Sequence, residues 1–178
     1  MQGDVALERK HMIVIIEEFV KLREYYEKTF YLGVNICDRY IISLARRNES
    51  PACLLNLALA SVFLAAKIEQ HICPSLEVLC HTVQTEWNLE IDPQAIMDLE
   101  TAILRELDWD LHCAYPETFL ERYFMIFGVD PTCRKKAAKQ VRILARRFCQ
   151  EFMTNENSLY YKSSQIAAAS VMAALNIS

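Results

Sequence analysis

One short segment occurs twice in this chain, and the distance between the copies limits what the chain can fold into. Ala58-Leu-Ala-Ser-Val-Phe-Leu-Ala65 matches Ala167-Ala-Ala-Ser-Val-Met-Ala-Ala174 at an offset of 109 residues, with five of eight positions identical. The first copy lies within Ala52–Ala66, which carries no charge and whose polar residues are Asn56 and Ser61. A helix that is apolar on every face has to be wrapped by other helices. A repeat of domain length around such a helix predicts two copies of one helical domain. The second copy stops at Ser178, where the first has reached Glu69. The expectation is a complete five-helix first domain over 1–110 and an incomplete second, 111–178, of about three helices.

The remaining punctuation agrees with an all-α chain. There are only three glycines, Gly3, Gly33 and Gly128, and no two are close together. That excludes glycine-clustered phosphate loops and nucleophile elbows, and it argues against a turn-rich β-protein. Five prolines, at 51, 74, 93, 116 and 131, each follow a polar stretch and precede an apolar pattern of period near 3.6. Proline is tolerated in a helix's first turn, where its missing N–H has no partner to lose. The spacing predicts helices over 6–26, 29–47, 51–70, 75–85, 93–107, 116–127, 131–153 and 162–176. Asp92 before Pro93 and Asp130 before Pro131 read as N-caps with proline at the first helical position.

Charge and cysteine usage narrow the function classes. The net charge is −4, with 19 basic and 23 acidic side chains, so nothing pulls the whole chain toward nucleic acid or an anionic membrane. The charged N-terminus lacks a secretory core, and no apolar run is long enough to span a bilayer. Seven cysteines without a CxxC pair point to a reducing compartment, nucleus or cytoplasm.

Four segments then carry a family resemblance, over nearly the whole chain. Asn35-Ile-Cys-Asp38-Arg39-Tyr40 is similar to the Asn-x-x-Asp-Arg-Phe signature of the cyclins, and Leu64-Ala-Ala-Lys67-Ile-Glu69-Gln70 resembles their Leu-Ala-Ser-Lys-x-Glu-Glu. Leu99-Glu100-Thr-Ala-Ile-Leu104-Arg-Glu-Leu-Asp-Trp109-Asp-Leu111 looks like their fifth helix and its exit into the linker. Tyr161-Lys-Ser-Ser-Gln-Ile-Ala-Ala-Ala-Ser resembles the third helix of the second cyclin fold.

The resemblance implies a non-catalytic regulatory subunit, with no cofactor and no metal. Its expected partner is a cyclin-dependent kinase, whose αC helix it would hold in place. Lys67 and Glu100 match the family's two charged recognition residues; Leu64, Leu104, Trp109 and Leu111 would supply apolar contact. Arg9 falls where many cyclins place an arginine against the signature aspartate, so an Arg9–Asp38 pair is expected. The family's substrate-docking patch is poorly matched. This chain reads Glu8-Arg-Lys-His-Met12, with Ile15 in the place of a tryptophan, and keeps only Glu18. Met12, Ile15 and Glu18 are the candidate remnants of a patch for kinase substrates or inhibitors, and ordinary substrate docking is not expected.

Two rival readings stand beside this one: a cyclin-fold scaffold that binds no kinase, and a nucleic-acid-binding module like transcription factor IIB. The second would use Arg134, Lys135, Lys136, Lys139, Arg142, Arg146 and Arg147, a basic run with no acid between. The plainer reading of that run is a solvated helix face. His71, Cys73, Cys80 and His81 lack zinc-finger spacing, and no Ser/His/Asp or Cys/His set has supporting context, so an enzyme is not expected.

Overall fold

Ten consecutive residues, Leu57–Ala66, are buried on every side in the computed structural model of the chain. They belong to α3 (Leu54–Glu69), which packs against α1 (Gln2–Leu22), α2 (Glu27–Arg46) and α5 (Pro93–Glu106). The structure describes residues 2–177, with side chains from Leu7 onward. α4 (Leu76–Trp87) completes the first unit, Met1–Cys113. The small residues of α3 let its neighbours approach closely. A Cβ on Gly33 of α2 would lie 3.3 Å from Ile16 Cγ2 and 3.5 Å from the Val62 Cα.

The second unit, Ala114–Ser178, holds α6 (Pro116–Ile126), α7 (Lys136–Met153), a 3₁₀ turn (Glu156–Tyr160) and α8 (Ser163–Ile177). α8 packs on α6 and α7 as α3 packs on α1 and α2. It buries Ile166, Ala167, Ser170, Val171 and Ala174, which lie on one face, whereas α3 is buried all round. The boundary between the units falls after Cys113.

Helix ends differ from the sequence expectations for identifiable reasons. α1 stops at Leu22, not 26, because Glu24 turns left-handed (φ 51°) and Tyr25 N–H bonds back to the Val20 carbonyl at 2.9 Å. Asn48, Asp108 and Gly128 make the same reversal after α2, α5 and α6. α3 starts at Leu54 rather than 51, since Cys53 is extended. Asp92 does cap α5, accepting from Gln94 N–H at 2.9 Å. Asp130 does not cap α7. Its carboxylate accepts from Thr132 N–H at 2.8 Å and closes a local turn, so the helix begins at Lys136 instead of 131.

Candidate functional site: the C-terminal end of α3 and the outer face of α5

Lys67 closes the last turn of α3, and its ammonium is ion-paired with the Glu100 carboxylate of α5. The same ammonium lies 4.2 Å from the centre of the Phe63 ring, one helical turn back. The aromatic face and the carboxylate fix the lysine tip between them. The lysine side chain remains 33% exposed. An ammonium has three N–H donors, so the Glu100 bond leaves donors for an outside acceptor.

The helical repeat places Met97, Glu100 and Leu104 along one face of α5. Met97 is exposed and Leu104 partly so. Beyond the helix, Trp109 N–H donates to the Leu104 carbonyl at 2.9 Å and Asp108 N–H to that of Arg105 at 3.3 Å. This paired-bond helix stop brings the residue two past the end back toward the last turn. Asp108 and Trp109 both sit at positive φ (51° and 60°), which is costly for a bulky side chain. The reversal leaves the Trp109 indole 71% exposed. Arg39, in the signature segment, donates to the Asp110 carbonyl at 2.8 Å and pins the exit.

The other expected contact residues lie elsewhere. Leu64 and Leu111 are only 4% and 7% exposed. Little of either side chain is exposed for contact with a partner. Ile68 and Met97 are exposed beside Lys67 and Glu100 and were absent from the sequence expectation. Their signal was adjacency: Ile68 follows Lys67, and Met97 precedes Glu100 by one turn.

Arg9 and Asp38 meet in a buried two-pronged ion pair, Nε to Oδ1 at 2.7 Å and Nη2 to Oδ2 at 2.8 Å. It ties α1 to α2. Burial pushes the Asp38 carboxyl up, against the pull of the guanidinium. Met12 is a correction to the docking-patch expectation. It is 1% exposed, in the core with its sulfur 3.7 Å from Cys37 Sγ, and cannot line a surface. Ile15 is half-buried and Glu18 exposed, so the three do not form one patch.

Three of the seven residues of the basic run are engaged within their own unit. Arg142 donates to the Val129 and Asp130 carbonyls, both at 2.7 Å; Arg146 pairs with Glu121, and Arg147 with Glu151 at 2.9 Å. Among the described residues, no group of three or more His, Cys, Asp or Glu could hold a metal ion, and no helix is long and apolar enough to cross a membrane.

Comparison with known proteins decides the family. Residues 4–112 match the family described as "Cyclin, N-terminal domain", and residues 114–178 match "Cyclin, C-terminal domain".

The chain belongs to the cyclin family.

Cyclins are non-catalytic regulators of protein kinases. This cyclin is 24% identical to the G2/mitotic-specific cyclin-B3 of Gallus gallus over 179 residues, covering 99% of this chain and 40% of that protein. It is 32% identical to Cyclin-D1-1 of Oryza sativa subsp. japonica over 152 residues, covering 83% and 39%. The chain thus spans about two fifths of the length of these curated relatives. Its fold resembles that of a viral cyclin from herpesvirus saimiri (TM-score 0.78, 16% identity, 96% of this chain and 69% of that one). It also resembles a chain of the CAK complex from Chaetomium thermophilum, solved with ATP-gamma-S (TM-score 0.72, 16% identity, 94% and 51%).

Proposed function

We propose that this cyclin binds a cyclin-dependent protein kinase through the Lys67–Glu100 surface and activates it by holding the kinase αC helix. The observation that carries the proposal is the convergence of Lys67 and Glu100, 33 residues apart in sequence, on one ion pair, with exposed Ile68, Met97 and Trp109 on the same two helices and the α5 exit. Lys67 donates to backbone carbonyls of the kinase segment that leads into αC, and Glu100 accepts from its N–H groups. Ile68, Met97, Leu104 and Trp109 cover the apolar side of that segment.

Activation on this reading is a population shift. Moving a kinase from 1:99 to 99:1 in favour of the active state takes ~5.5 kcal/mol of differential affinity. One partly exposed ion pair supplies far less, so the exposed apolar residues have to carry most of it. The pair sets register. The seated αC presents its glutamate to the strand lysine that orients the ATP phosphates, which phosphoryl transfer requires.

The site of action is the nucleus or cytoplasm. Nucleic-acid binding is disfavoured because Arg142, Arg146 and Arg147 are already engaged within the second unit.

The test is to mix the purified chain with a panel of cyclin-dependent kinases and follow phosphorylation of a histone-type substrate. A stimulated kinase supports the proposal. Binding without stimulation points to a scaffold, and salt-sensitive DNA binding without kinase binding points to the nucleic-acid reading.

A further inference from the structure

Two different faces of α5 flank its buried stripe. Ile96 and Ile103 are fully buried. The helical repeat puts Met97, Glu100 and Leu104 on one side of them and Ala95, Leu99 and Ala102 on the other. On that second side a cavity of about 420 Å³ opens between α5, the end of α2 and the start of α3. Ala95 and Ala102 leave the room, and Leu44 of α2 and Leu99 form apolar walls. Small-molecule pockets run from about 300 to 1,000 Å³. The cavity lies inside a unit that already holds α1 to α5, so it is not the seat of a missing helix.

Tyr40, Cys53, Asn56 and Asp98 bring polar groups to this space. Tyr40 is only 8% exposed, yet its hydroxyl has no hydrogen-bond partner among the described residues and is not sealed from solvent. A polar group buried to that degree is costly unless something outside the chain serves it. The cyclin signature has phenylalanine in the place of Tyr40, so the fold itself does not need the hydroxyl. The Asn56 amide likewise has no partner among the described residues. Asp98 accepts from Gln94 Nε2 at 2.8 Å through Oδ1, which leaves Oδ2 for another donor. No Lys, Arg or His lines the cavity. Arg47, one turn beyond Leu44, is taken up by Glu49 and Glu106.

We propose that this cavity binds a small molecule that carries a protonated amine on an apolar body. The ammonium donates to the Asp98 carboxylate, with the oxygens of Asn56 and Tyr40 as its further acceptors. The apolar body lies against Leu44, Leu99 and the Tyr40 ring. An anion is a poor occupant, because the lining carries a carboxylate and no cation. A single side chain from a partner protein would fill only part of the volume, which favours a free molecule. The site lies across α5 from the Lys67–Glu100 surface and is independent of it.

Cys53, on the cavity wall, is a built-in reporter, and Cys73, exposed outside it, is the control. The probe is phenethylamine, with 3-phenylpropionate as an anionic analogue of similar size. The 178-residue chain is briefly alkylated with iodoacetamide at fixed pH and rising probe concentration, and both cysteines are read by mass spectrometry. Half-protection is expected at roughly 1–10 mM, the range for so small a probe. At saturation phenethylamine should slow Cys53 about fivefold or more, because a ligand filling the cavity covers its wall. Cys73 should be unaffected, and 3-phenylpropionate should protect neither. Tyr40→Phe should raise the half-protecting concentration about threefold to tenfold, the worth of one hydrogen bond. Asp98→Asn should raise it about threefold to fivefold, the scale of a partly exposed ion pair. Tyr40→Phe installs the signature residue and Asp98 is exposed on its helix, so both variants should fold. No protection well above that concentration range would overturn the proposal. So would equal protection by 3-phenylpropionate, slowing of Cys73 alongside Cys53, or unaltered protection in both variants. The assay uses the chain alone, so its failure leaves the kinase reading untouched.

Discussion

Arg9 of α1 and Asp38 of α2 share two hydrogen bonds, 2.7 and 2.8 Å long, in the interior of the first unit. The pair fixes where the first helix crosses the second. Its energetic meaning lies in what happens when one member goes. Removing the guanidinium leaves a buried carboxylate with its main counter-charge gone.

Arg9→Leu should therefore destabilise the first unit by about 3–5 kcal/mol, the usual cost of breaking a buried pair. Arg9→Leu with Asp38→Leu should recover much of that loss, since the double variant buries no unmatched charge. Urea unfolding of both single variants and the double variant closes the cycle. Equal loss in the single and double variants would show that shape, not charge, matters at this crossing.

Glu106 links the ends of α2 and α5. It accepts from Arg47 Nη1 at 2.7 and 2.8 Å and from the Ser43 hydroxyl. Arg47 first, then Ser43, hold its carboxyl below the ordinary value. A lowered carboxyl contributes its stability in full above the unfolded-state value of about 4.5 and loses it as pH falls through the folded value. Glu106→Gln should flatten the acid limb of stability below pH 4.5 and lower stability modestly at neutral pH. Thermal melts across that range check this; an unchanged acid limb would assign it to other carboxylates.

Cysteine reactivity should follow burial. Cys53 and Cys73 are exposed, whereas Cys37 and Cys149 lie in the cores of their units. Burial pushes the Cys37 thiol up, which removes the reactive thiolate as well as access. Mass spectrometry after brief alkylation of the native chain should find Cys53 and Cys73 modified first, with Cys37 and Cys149 modified only on unfolding.

The architecture was legible because its signals are local and repeated. An uncharged stretch around Ala58–Ala65, echoed 109 residues later, needs no tertiary knowledge to read as two central helices. The left-handed stops at Glu24, Asn48 and Asp108 were not legible, because none of them uses glycine. The start of α7 was misplaced because Asp-Pro marks either a cap or a turn, and Asp130 chose Thr132. At the site, motif spacing pointed to Lys67 and Glu100, but periodicity does not say how deep a residue lies. Leu64, Leu111 and Met12 therefore belong to the interior, and exposed Ile68 and Met97 escaped notice.

The central claim is that Lys67 and Glu100 present charge to a kinase rather than merely joining α3 to α5. Exchanging them, Lys67→Glu with Glu100→Lys, restores an ion pair within the chain while reversing the sign presented at each position. The direct measurement is the affinity of the exchanged variant for the kinase that the wild-type chain binds, beside its melting curve. The account predicts near-native melting and an affinity loss of about 100-fold or more, the scale of removing interface hot spots. Wild-type affinity in the exchanged variant would contradict it and reduce the pair to an internal strut.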